Sequence, residues 1–151
     1  MAAEYLANAV QEVALNEPLT FTASIPCSSG CVYHEDETGI FILRGPKNGQ
    51  CFATYRVVFN GNVAIPTGGT VGPVAIALAI NGEPRPASRA IYTPAAVEEY
   101  GNLTSPATIK VPRGYCFTLS VEYVAATTDP AVDIPDAIEV QNANLVISRT
   151  A

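Results

Sequence analysis

Apolar and polar residues alternate with a period of two through most of the chain. From Cys51 to Ala64, Cys51, Ala53, Tyr55, Val57 and Phe59 alternate with Phe52, Thr54, Arg56 and Val58. That is the period of a strand with one face more apolar than the other. The β-branched and aromatic content disfavours helix. Between Pro73 and Ile80, Val74, Ile76, Leu78 and Ile80 share one face, and Ala75, Ala77 and Ala79 the other. The alanine face invites close packing, against a neighbouring sheet or another subunit. Asn81-Gly82 follows, a pair suited to the positive backbone angles of a tight hairpin, and Asn48-Gly49 and Asn60-Gly61 mark further turns or a bulge. Tyr115, Phe117, Leu119, Val121 and Tyr123 form the apolar face of another strand, after a Pro112-Arg113-Gly114 turn. Ile138 to Arg149 alternates in the same way. Helical signal is confined to Ala2 to Val13, by propensity, and to one turn over Pro94 to Tyr100 with Pro94 at its first position. Proline and glycine punctuate the chain throughout, so the pattern predicts an all-β sandwich or barrel.

Composition narrows the function. A chain of 151 residues suits one domain. Only 15% of its residues are charged, below the roughly 25% of an ordinary soluble domain, so part of its surface suits burial against another chain. The net charge of −6 disfavours nucleic acid and anionic membrane as partners. The long uncharged stretch from Val57 to Gly82 is broken by Asn60, Asn62, Pro66, Gly68, Gly69 and Pro73, so it reads as two strands and a loop, not as a membrane span. A single histidine limits general-base and metal chemistry. No catalytic residues, cofactor or metal site are expected.

The candidate chemistry is thin. Cys27 and Cys31 are spaced to close a small disulfide loop or to remain thiols; with His34 they supply three potential zinc ligands, short of the usual four. Cys51 and Cys116 read as buried, inert thiols. His34 stands beside Glu35, Asp36 and Glu37, and the run reads as a solvated turn ahead of a pH-sensitive or cation-binding loop. Asp129, Asp133 and Asp136 offer oxygen ligands without the turn glycine of a helix-loop-helix calcium site. Thr67-Gly68-Gly69-Thr70 lacks the lysine and helix of a phosphate cradle and reads as a strand connection. Asn102-Leu103-Thr104 is a glycosylation triplet, relevant only in a secretory pathway. Glu98 and Glu99, adjacent on a strand, would point to opposite faces, wrong for a shared acid/base site.

Four segments, TYRVVFNGNVA, PVAIALAINGEPRP, IKVPRGYCFTLSVEY and IEVQNANLVISRTA, together resemble the ten-stranded jelly roll of the tumour-necrosis-factor and complement globular-head superfamily. The resemblance spans about residues 18 to 151 and is nearest the bacterial and phage branch, with its spore-surface collagen-like heads and small prophage virion proteins. It implies a compact homotrimer with one sheet of each subunit packed around a three-fold axis. Symmetric association would also hide apolar strand faces and sheet edges.

The chain lacks a Gly-X-Y stalk, and residues 1 to 11 lack the basic start of a signal peptide. The expectation is therefore a non-enzymatic structural protein of a virion, extracellular after lysis: a homotrimeric capsid decoration or head-fibre protein, with capsid or fibre proteins as further partners. Residues 1–17, with Tyr5, Leu6 and Val10 as contacts, would form an N-terminal attachment segment ahead of a jelly-roll domain at 18–151. The alternative is a glycan- or receptor-binding head of a filament on the bacterial cell surface, with Tyr33, Tyr92 and Tyr100 as candidate stacking residues.

Overall fold

The computed structural model describes residues 2–25 and 32–150. Cys27 and Cys31 lie outside the described residues. The strands are β1 (Ala2–Ala7), β2 (Gln11–Ala14), β3 (Ala23–Ile25), β4 (Val32–His34), β5 (Phe41–Arg44), β6 (Phe52–Ala64), β7 (Val74–Ile80), β8 (Glu83–Pro84), β9 (Ala90–Tyr92), β10 (Gly101–Pro112), β11 (Cys116–Val124) and β12 (Ala137–Thr150). They form two six-stranded sheets. The first runs β10-β6-β12-β1-β3, with β2 beside β12; the second runs β4-β5-β11-β7-β8, with β9 beside β7. Successive long strands alternate between the sheets, as in a jelly roll.

The core lies between the sheets and follows the alternation. Tyr55, Val57 and Phe59 of β6 and Leu145 and Ile147 of β12 face Phe41, Leu43, Leu119, Val121 and Tyr123 of the second sheet, and all are buried. Phe41 meets Tyr5 and Phe21 edge-on at 4.6 and 5.4 Å between ring centroids, the arrangement favoured by aromatic quadrupoles. The alanine face of β7 is closed within the chain: Ala75 and Ala77 cluster with Val124 and Ala126. It therefore needs no second subunit.

The Asn81-Gly82 pair forms the expected two-residue hairpin, with φ of 53° and 85° and Ile80 opposite Glu83. Asn60-Gly61 is not a turn, because β6 continues straight through it. The irregularity falls on its partner, where the β6–β12 register shifts between Gln141 and Asn144 and Asn142 takes a φ of 56°. A bulge there keeps Val140 and Leu145 on the core side despite the extra residue.

Three expectations change. Ala2 to Val13 forms two strands, not a helix, because both lie against β12: Tyr5 opposite Leu145 and Val13 opposite Ile138. Pro94 to Tyr100 is loop, and the one short helical turn among the described residues is a 3-10 turn at Pro86–Ser88. The boundary at residue 17 also moves. β1 is an interior strand between β12 and β3, and Tyr5, 3% exposed, belongs to the core. Residues 1–17 are thus not a segment ahead of the jelly roll. Of the three expected contacts, Tyr5 is withdrawn, Leu6 is half-buried on the outer face, and Val10, 50% exposed, remains accessible.

Candidate interaction surface

The outer face of the first sheet is built by the residues alternating with that core. Strand register lines them up in rows across the sheet. One row runs Pro106, Val58, Val146, Glu4 and Ile25; the next runs Thr104, Asn60, Asn144, Leu6 and Ala23. Val58, Val146 and Leu6 are only partly covered by their own chain. Charge on this face is limited to Glu4, Glu12, Arg56, Lys110 and Glu139, with Glu12 directly opposite Glu139. Near the start of β10 it carries an amide cluster: Asn102 donates from Nδ2 to Oδ1 of Asn60 at 2.6 Å, and Thr104 donates from Oγ1 to Oδ1 of Asn102 at 3.1 Å. These bonds hold the Asn102-Leu103-Thr104 triplet flat on the sheet. The edge strand β10 carries Pro106 and Lys110, two residues that discourage indiscriminate strand addition.

The other candidates occupy separate places. His34 is not in a solvated turn. Its ring stacks on Phe41 at 4.3 Å and meets Tyr5 at 5.0 Å, its Nε2 is 2.9 Å from the Thr38 carbonyl, and its Nδ1 is buried without a partner. The Nε2 tautomer that donates to Thr38 fits this arrangement. The Thr67-Gly68-Gly69-Thr70 loop already holds an anion of its own: Oε1 of Glu98 accepts from the Thr67 backbone N–H at 2.9 Å and from its hydroxyl at 3.0 Å. Asp129 accepts the Ala131 N–H at 2.9 Å and so closes its own turn. Cys51 and Cys116, expected to be buried, are both exposed free thiols, because Cys51 precedes β6 and Cys116 points outward opposite Arg44.

The three tyrosines proposed for sugar stacking do not form one platform. Tyr33 is on the edge strand β4, opposite Ile42. The Tyr92 ring covers Gly101, where an added Cβ would lie 2.5 Å from it. Tyr100 donates to Glu139 at 3.1 Å, and desolvation and that carboxylate raise its pKa. Tyr115, expected on the apolar face of a strand, is 63% exposed. The turn before it, closed by Tyr115 N–H donating to the Pro112 carbonyl at 3.1 Å with Gly114 at a φ of 84°, swings the residue out before β11 begins.

No protein-family model matches the sequence, and no curated protein matches it. Solved structures do share its shape. The globular domain of zebrafish complement 1qA superposes with a TM-score of 0.64 at 15% identity, covering 97% of this chain and 94% of that one. Eiger TNF from S. frugiperda gives 0.65 at 12% identity, covering 100% and 92%. Murine APRIL gives 0.50 at 10%, covering 99% and 98%. Coverage this complete places β1 and β2 inside the common fold. At these identities the likeness is one of architecture: the chain is a jelly roll of the tumour-necrosis-factor and complement C1q type.

Proposed function

We propose that this chain is a non-enzymatic structural protein that assembles as a homotrimer through the outer face of its first sheet and is displayed on a particle surface, as a phage capsid decoration or head-fibre protein. The observation that carries the trimer is the row of Pro106, Val58, Val146, Glu4 and Ile25, with one charged member, on a broad, regular sheet. Burying about 800 Å² per partner on such a face gives a standard interface. At ~25 cal/mol per Å² of apolar area, burial of such a face supplies the driving force from which the cost of association is subtracted. Display is favoured by the placement of the chain ends: Ala2, opposite Ser148, and Thr150, opposite Thr54, lie at the same end of the sandwich. Attachment would run through capsid or fibre proteins.

Light scattering on the purified protein at micromolar concentration tests the trimer; three times the 15.9 kDa chain mass is expected, and a stable monomer would overturn it. Peptide mass spectrometry on purified virions of the source, set against washed cell envelopes, tests the location. Enrichment in envelopes would favour the surface of a bacterial cell.

A further inference from the structure

The fold sorts the charges to opposite ends. Call the end bearing β6's Phe52 and β10's Pro112 the lower one. Every basic side chain except Arg89 lies in the lower half, and every acidic one except Glu4 and Glu83 lies at the middle or above. A chain of net charge −6 therefore carries a cationic end, where an approaching anion meets an attractive field.

A groove opens at that end. One wall is Arg44, Pro46 and Lys47, leaving β5; the other is Arg113, Tyr115 and Cys116, entering β11; it encloses 370 Å³. No acidic residue lines it. The walls are held by backbone: Gly45 N–H donates to the Tyr115 carbonyl at 2.9 Å, and Arg113 N–H donates to the Cys51 carbonyl at 2.9 Å. Gly45 approaches so closely that an added Cβ would lie 2.1 Å from the Pro112 oxygen. The volume is that of a small-molecule site.

We propose that this groove binds an acidic saccharide, its carboxylate or sulfate held by Arg113 and Lys47 and the face of its sugar ring laid on Tyr115. A guanidinium pairs with a carboxylate or sulfate through parallel N–H bonds, and an ammonium adds a mobile second charge. The exposed tyrosine ring gives a rigid amphipathic wall beside them. A bare anion uses the charges alone; a charged sugar uses both features. All the lining residues come from one chain, so the inference requires neither the trimer nor the particle.

The test is calorimetric titration of the full chain with four probes: a tetrasaccharide of alternating glucuronic acid and N-acetylglucosamine, the neutral chitin tetrasaccharide, inorganic sulfate and a short single-stranded oligonucleotide. Binding of the acidic tetrasaccharide is expected, weakened at least about tenfold by Lys47→Gln with Arg113→Gln. Arg89→Gln, at the other end, should leave it unchanged. Tyr115→Ser should weaken the tetrasaccharide severalfold and leave the sulfate signal as it was. Saturating tetrasaccharide should also slow alkylation of Cys116, read by peptide mass spectrometry, and the thermal midpoints of the variants should match the parent. Equal binding of the chitin tetrasaccharide, tighter binding of the oligonucleotide, sulfate binding as strong as the tetrasaccharide, indifference to the double substitution, or unprotected Cys116 would each overturn the proposal.

Discussion

The hydroxyl of Ser88 takes the place of a missing strand at Leu78. β8 ends its pairing with β7 at Ala79 and β9 begins its own at Ile76, which leaves Leu78 between them. Ser88 Oγ accepts the Leu78 N–H at 3.0 Å and lies 2.8 Å from the Arg85 carbonyl, its one proton going to that carbonyl or to that of Leu78 at 3.3 Å. The residue is 4% exposed, and its own carbonyl accepts from Ser105 Oγ. Ser88→Ala strands a buried N–H and should cost about 1–3 kcal/mol in urea unfolding. Ser88→Thr, which keeps the hydroxyl, should cost less than Ser88→Ala.

The position of β1 makes a second prediction. Removing residues 1–17 takes Tyr5 out of the core and uncovers one side of β12 along Ala143 to Ser148. The truncated chain should lose its cooperative thermal transition, whereas a dispensable attachment arm would leave the transition intact. Tyr5→Ala, a milder change of the same kind, should destabilise by about 3–5 kcal/mol.

On the outer face, Val146→Glu places a carboxylate in the row with Val58 and beside Glu4. A partly exposed position tolerates the change within the monomer, with a stability shift of about 0.5 kcal/mol. The same charge buried against a second copy is unpaired and strongly unfavourable. The variant should run as a folded monomer by light scattering, with an unchanged circular dichroism spectrum.

Alkaline pH should find Tyr123. Burial, reinforced by the Asp136 carboxylate, raises its pKa, and its hydroxyl donates to the Pro135 carbonyl at 2.5 Å. In the unfolded chain the phenol ionises near pH ~10, while in the fold it stays protonated, so the unfolded state loses its proton first. The stability held by this group is complete below pH ~10 and falls above it by up to about 1.4 kcal/mol per pH unit. Tyr123→Phe should lower stability at neutral pH by about 1 kcal/mol, through the lost hydrogen bond, and should flatten the alkaline limb of the stability curve.

His34→Phe separates a packing role from a chemical one. The ring's contacts with Phe41 and Tyr5 survive, and the unpartnered buried Nδ1 is removed. The Thr38 carbonyl keeps the Phe21 N–H as a donor at 3.2 Å. Stability should change by less than about 1 kcal/mol in either direction.

Strand periodicity and the Asn81-Gly82 hairpin were legible because both are local: a face repeats every second residue, and the turn needs two positive φ angles at adjacent positions. Ala2–Ala7 was harder to read, since helix propensity there is overridden by pairing with Ala143 to Ser148 at the far end of the chain. Tyr115 fits the alternation of β11 by number alone, and only the geometry at Gly114 turns it outward. His34 sits among acids in sequence but among aromatics in space, because β4 carries it over Phe41. The cationic groove was hidden most deeply. Lys47 and Arg113 are far apart in the chain, and only the jelly-roll connections bring the β5–β6 and β10–β11 loops together.

Ala2 and Thr150 emerge beside the cationic end, so a fluorophore or peptide fused at either terminus projects from that side. Adsorbed on an anion-exchange resin, the protein would settle carboxylates-down and hold its graft toward the liquid, an orientation that topology imposes without any designed linker.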